Sequence, residues 1–191
     1  MVASKAPGSE ATDSEALDRL LRSGARDSWV LDASRSRAEF AVKHFWGAVT
    51  VRGRFERIQG EGTMAQDGSV AGVLTIDAAS LTTRNPRRDR HLRSADFFDV
   101  AEHPSVVARV TRVAPAPAGG VSLTATLEAA GRSQPVPLTA RVLEAGPDEA
   151  TLAVTTVVDR TAFGMTWSPL GMASGSATLH VVTHFVRSSA G

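Results

Sequence analysis

The chain contains no cysteine and no tyrosine, only 5% aromatic residues, and a formal net charge of just +1. Without cysteine there is neither a disulfide framework nor a thiolate nucleophile, so any metal would have to be held by histidines and carboxylates. The scarcity of rings argues against a base-stacking platform for single-stranded nucleic acid, and 21 basic against 20 acidic residues leave no overall field to steer a polyanion. No nucleic-acid partner is expected. No apolar run approaches the ~20 residues of a membrane span, so no stable membrane insertion is expected either. A Gly-x-Ser-x-Gly elbow, a P-loop and a dinucleotide fingerprint are all missing, and no catalytic residue is assigned.

A length of 191 residues suits one domain of ordinary size. Residues 1–28 lack the apolar stretch of a secretory leader, so a cytoplasmic location is expected. Within them Ser14 is suited to cap a short helix carrying Leu17, Leu20 and Leu21 on one face and ended by Gly24. The expectation is a flexible amino-terminal extension, largely disordered or with one short helix, ahead of a single domain over residues 29–188.

From Trp29 onward apolar and polar residues alternate in short runs separated by Gly, Pro, Asp and Asn, the period of half-buried strands. Ala38, Phe40 and Val42 share one face while Arg37, Glu39 and Lys43 share the other. Val49, Val51 and Phe55 repeat the pattern, with Gly53 marking a bend or bulge. Val73 to Asp77, Val106 to Val113, Val121 to Ala129, Val136 to Leu143, Thr151 to Val158 and Ala177 to Arg187 continue it. These make about eight or nine strands, and their short connections imply antiparallel neighbours. The pattern is all-β, and it leaves barrel and sandwich both open.

One stretch breaks the alternation. Residues 88–104, RDRHLRSADFFDVAEHP, read as a short insertion over the β framework, with Asn85 placed to cap a helix whose first residue is Pro86. A lid over a β framework implies a cavity behind it.

Four segments carry a resemblance: WVLDASRSRAEFAVKHF from Trp29, GRF at 53–55, ASLTTRNPRRDRHLRSADFFDVAEHP at 79–104, and DRTAFGM at 159–165. Over about Trp29 to Val186 the chain resembles the YceI-like family, lipocalin-like proteins associated with polyisoprenoid binding. The resemblance implies an eight-stranded antiparallel β-barrel with a short helical insertion, its lumen holding an isoprenoid or other lipid-like chain, often in a homodimer. Around LTATLEAAGRSQPVPL the chain departs from the family pattern at Ser122 and Ser133.

Ligand-lining candidates on strands are Phe40, Val42, Val51, Phe55, Val110, Leu127, Leu179 and Phe185. Irregular segments add Phe97, Phe98, Phe163, Met165, Trp167 and Leu170, which strand alternation alone cannot bury. Apolar burial is worth about 0.8 kcal/mol per methylene, so such a tunnel binds a lipid tail without one hydrogen bond. Arg88, His91 and Arg93 are head-group candidates, and each also has an ordinary structural reading within the insertion. No cofactor is expected beyond a bound isoprenoid or other lipid. The alternative function is an enzyme of unknown class acting on a lipophilic substrate in the same cavity, with His91, Asp89 and Arg88 as its first candidates. No metal is expected: His180 and His184 share a strand face, but their Cβ atoms stand ~13 Å apart, and the other histidines lack neighbours at ligand spacing.

Overall fold

A computed structural model describes residues 28–65, 67, 69–116 and 120–188, together with Glu15 and Asp18. The expected amino-terminal helix, with Ser14, Leu17, Leu20, Leu21 and Gly24, lies outside the described residues. The strands are β1 (Ser28–Leu31), β2 (Arg37–His44), β3 (Val49–Phe55), β4 (Ile58–Met64), β5 (Ser69–Asp77) and β6 (Leu81–Thr82). After helix α1 (Pro86–Arg93) come β7 (Ser105–Pro115), β8 (Val121–Ala129), β9 (Arg132–Ala145), β10 (Glu149–Asp159) and β11 (Ala173–Arg187).

All pairings are antiparallel, and they close a ring. The order runs β1-β4-β5-β7-β8-β9-β10-β11, and β11 pairs back onto β1. The long strand β11 meets β2 between Ala177↔Val42 and Val182↔Arg37, then meets β1 at Phe185↔Leu31. Strands β1 and β2 therefore lie along one flank of β11 as a single interrupted strand, and β4 and β3 follow them as a second. Counted this way the barrel has eight strands, each paired on both sides over at least part of its length.

Among the strands not named from alternation, the short β1 and β6 and the longer β4, β4 has a clear reason for having been hidden. Its inward positions are Ile58, Gly60, Gly62 and Met64, paired with Ile76, Leu74, Gly72 and Val70, so two of the four residues that should advertise an apolar face have no side chain. The glycines are there for contact: a Cβ on Gly62 would meet the Cα of Gly72 at 2.9 Å.

Strand β9 runs farther than expected, through Pro135 and Pro137, each of which lacks a backbone N–H. Its ladder to β8 covers Arg132 to Ala140, whereas its ladder to β10 begins only at Ala140↔Val154. The prolines thus sit where β9 has one neighbour, and no ladder bond is lost. In the β8–β9 turn Ala130 and Gly131 both have positive φ, 47° and 71°. That is the primed turn geometry whose twist suits a tight hairpin.

The core divides along the barrel axis. At one end Val121, Leu123 and Ala140 are buried against Val110, Val113, Leu138, Val142, Leu152 and Val154, with Trp29 and Ala150 packed beside Phe185 and Met64. At the α1 end a larger cluster joins Leu31, Ala38, Ile76, Val106 and Ala129 to Phe163 and Met165, with Phe55, Phe97, Phe98 and Leu127 packed against it.

Candidate functional site

The α1 end holds a partly open cavity of about 180 Å³. Strand residues Phe40, Val42, Val51, Phe55, Leu127 and Leu179 form its walls, and Phe97, Phe98, Phe163, Met165 and Trp167 close it from the irregular segments. The rings interlock: Phe55 meets Phe40 at 5.6 Å between centroids and stands edge-on to Phe98 at 5.7 Å. Such tilted and edge-on pairs are the favoured arrangements for aromatic quadrupoles. Gly53 is required here, because a Cβ at that position would lie 2.4 Å from the Phe40 ring.

The hollow itself comes from small residues. Ala38, Ala129, Ala173 and Ala177 line the cavity at inward strand positions, where a larger side chain would occupy the space. The sequence reading passed over them, as alanine carries no distinct apolar signal. Their parity with Phe40 and Leu179 was the cue that could have found them.

Three expected lining residues lie elsewhere. Leu170 is 90% exposed on a 3₁₀ turn, Pro169–Gly171, and holds φ at 52°, which turns its side chain to solvent. Val110 packs in the opposite end. Phe185 lies between Trp29 and the larger cluster, below the cavity rather than on its wall.

Arg88 and His91 both reach the cavity wall, and each head-group candidate bonds to other parts of the protein through at least one polar atom. Arg88 touches the wall, but its Nε donates to Thr83 Oγ1 at 2.7 Å and its Nη2 to the Thr83 carbonyl at 3.0 Å. His91 pairs through Nε2 with Asp96 at 2.9 Å, and its ring stands edge-on to Phe97 and Trp167. Arg93 donates to the carbonyls of Ala79 at 2.9 Å and Leu81 at 2.5 Å. Asp89 is 6% exposed and accepts from the Thr83 amide at 2.8 Å and from its hydroxyl at 2.5 Å. Burial raises the Asp89 carboxyl pKa, yet the hydrogen bonds from Thr83 and Thr82 and the charge of Arg93 outweigh it and hold the group below the usual carboxylate range. This network fastens α1 to the barrel rim. The helix begins as expected, with Asn85 Oδ1 accepting from the Arg88 amide at 3.1 Å.

Sequence reasoning missed Arg160, which is 6% exposed beside the cavity. Its Nε donates to the Ser174 carbonyl at 2.7 Å, Nη1 donates to the Met165 carbonyl, and the guanidinium lies 5.9 Å from the Phe97 ring centre. Desolvation lowers its pKa and the neighbouring Asp159 opposes that shift. The DRTAFGM segment thereby acquires a reason for its arginine: two carbonyl bonds hold the 160–174 loop across the barrel end. His44, also on the wall, is held below the usual histidine range by burial first, then by the charges of Arg160 and Arg88.

The histidines on β11 each take a threonine of β10: His180 Nδ1 lies 3.1 Å from Thr155 Oγ1, and His184 Nδ1 lies 2.7 Å from Thr151 Oγ1. Among the described residues the metal-type donors that come together are Glu144, Glu149 and His184. Arg35 already bridges both carboxylates, at 3.1 Å to Glu149 and 3.7 Å to Glu144, so the cluster is an ion-pair network on the outer wall.

With the geometry described, the likenesses of the chain take their place. A UPF0312 protein of Vibrio cholerae is 29% identical over 124 residues, spanning 63% of this chain and 65% of the relative. One from Pseudomonas paraeruginosa is 33% identical over 112 residues, 58% of each. The chain thus matches less than two thirds of the length of these relatives. In three dimensions it is similar to BcnA of Burkholderia cenocepacia, with TM-score 0.72, 18% identity and coverage of 81% of this chain and 98% of that one. A polyisoprenoid binding domain from Saccharophagus degradans gives TM-score 0.69 at 17% identity, covering 85% and 100%. Described residues include no helix long and apolar enough to cross a membrane. The model of the YceI-like domain matches residues 29–185, and the chain belongs to that family.

Proposed function

We propose that the protein binds and carries a lipophilic molecule, an isoprenoid-type chain such as a polyprenyl or quinone tail, in the cavity at the α1 end. The observation that supports this most directly is a partly open hollow with an almost wholly apolar surface, walled by inward strand residues and by rings from the irregular segments. A natural interior is normally filled to crystal-like density, so a void of this size lined by rings and aliphatic groups is costly unless something occupies it. Likeness to a polyisoprenoid binding domain points the same way.

Size constrains the mode of binding. A hollow of about 180 Å³ is close to the ~150 Å³ engineered cavity that takes one benzene. As it stands it accommodates one ring-sized or short branched group, and a longer chain requires the α1 insertion or the 160–172 loop to move outward. Those are the parts held by side-chain hydrogen bonds rather than by strand ladders. Polar side chains that reach the wall, His44, Arg88, His91 and Arg160 among them, present almost no polar surface to the hollow, which favours binding without turnover.

Organic extraction of the purified protein followed by mass spectrometry tests the reading. A stoichiometric lipophilic molecule is expected, and Phe98→Asp should release it while the barrel still melts cooperatively by circular dichroism. Repeatedly empty preparations of the unaltered protein that also take up no added polyprenol would overturn the proposal.

A further inference from the structure

Two loops meet beside the cavity mouth and present large apolar side chains to solvent. The turn Phe45–Gly47 follows β2, the turn Pro169–Gly171 precedes β11, and the Phe45 amide donates to the Met172 carbonyl at 2.8 Å, joining them. Trp46 is 86% exposed and Leu170 90% exposed, with Phe45 and Trp167 about half exposed alongside. Phe45, Trp46 and Leu170 all sit in the left-handed region, φ 49°, 52° and 52°, where bulky residues are rare and Gly or Asn is favoured. Relaxation of the backbone does not explain these side chains, and neither does the core. His44, Ala173 and Trp167, which adjoin the same loops, line the cavity.

We infer that this rim is a docking surface for an anionic lipid bilayer, through which cargo enters the cavity directly from the membrane. Three features favour that occupant over a second copy of the chain. A stable protein interface needs about 800 Å² from each partner, and four side chains on two convex loop tips fall well short of it. Shallow anchoring in the headgroup region needs only a few such tips, and tryptophan, with an apolar body and a polar edge, is the side chain best suited to that depth. The surroundings also carry the complementary charge. Lys43 is exposed at the end of β2, its Cδ near Gly47, and Arg87 is exposed one helical turn from His91, whose ring packs 4.4 Å from that of Trp167. Neither Lys43 nor Arg87 forms an ion pair among the described residues. Basic side chains around an apolar tip are attracted to acidic headgroups over about a Debye length.

The inference rests on the lipophilic-cargo reading for its purpose, but its test does not need a loaded cavity. Full-length protein is floated with vesicles of phosphatidylcholine mixed with phosphatidylglycerol, and with vesicles of phosphatidylcholine alone. Binding to the mixed vesicles, weakened by high salt and accompanied by a blue shift of tryptophan emission, is the expected result. Trp46→Asn and Leu170→Asn replace each tip with a polar residue that tolerates the left-handed backbone, so these variants should fold at least as well. Each should lower vesicle affinity about tenfold or more, and Lys43→Glu with Arg87→Glu should abolish the preference for the acidic mixture. A cavity-filling Ala177→Leu variant should float like the unaltered protein, which separates failure of docking from failure of cargo binding. Absence of flotation, undiminished flotation of the asparagine variants, or a dimer in sedimentation velocity that those variants dissociate would each overturn the inference.

Discussion

The two ends of this barrel are built from the same alternating strands, yet one is lined by branched aliphatic residues and the other by rings and alanines around a hollow. At the far end the inward rows carry branched aliphatic residues, Val121, Leu123, Leu138, Val142, Leu152 and Val154, which gather in one cluster. At the α1 end the corresponding rows alternate large residues with alanines, Phe40 and Leu179 beside Ala38 and Ala177, and the closure comes from segments outside the ladders. The hollow at the α1 end therefore follows from side-chain volume, since alanines stand where larger apolar residues would occupy the space. The hollow end also has the looser frame. Beyond Ala140↔Val154 the strands β9 and β10 are no longer paired, and Gln134 reaches across by a 3.2 Å hydrogen bond to the Ala162 carbonyl.

Truncation should reveal the contrast most strongly. Leu123→Ala at the far end removes a buried leucine and is expected to cost about 3 kcal/mol, whereas Leu179→Ala enlarges an existing hollow and should cost roughly half as much. Urea unfolding of both variants makes the comparison, and equal losses would mean that the two ends are packed alike.

A somewhat smaller effect is expected from the insertion. Asp89→Ala leaves the Thr83 amide and hydroxyl without their acceptor and should cost about 2 kcal/mol. Hydrogen exchange should rise in α1 and its neighbours and remain unchanged in β8. The folded-state pKa of Asp89 lies below its unfolded value of about 3.9, so its stabilisation is fully present above that pH and is lost as pH falls through the folded value. The gap between Asp89→Asn and the unaltered protein should accordingly be widest near neutrality and narrow as pH falls through the folded-state value of Asp89. A gap that stays constant over that range would rule out the ionised carboxylate as the anchor.

The smallest change sharpens the same contrast from the other direction. Ala130 holds φ at 47° in the β8–β9 turn of the hollow end, and Ala130→Asn should stabilise the protein by about 1 kcal/mol without altering the lipid it retains. A rise in melting temperature with unchanged extractable lipid is the expected outcome.

Legibility in the sequence followed side-chain size. Strands with bulky inward residues, such as β2 and β11, were visible as alternation, and the helix over Pro86–Arg93 was visible through Asn85 and Pro86. Strand β4 was hidden because Gly60 and Gly62 stand where apolar residues would mark the inner face. Phe97, Phe98, Phe163, Met165 and Trp167 were singled out because no strand could bury them, and they meet at one cavity. Leu170 was grouped with them on the same grounds, but its backbone conformation turns it outward, a property that hydropathy does not encode.

Taken alone, the order of residues determined the all-β class, the interruption by one short helix and the exclusion of cysteine chemistry, because period, capping and composition are local properties. Where the barrel is empty was decided only in three dimensions. That depends on which alanines share a level with which rings, and on hydrogen bonds such as those of Arg93, Arg88 and Arg160 that hold distant loops over the opening. Volume and closure are sums over residues far apart in the chain, and only folding brings their terms together.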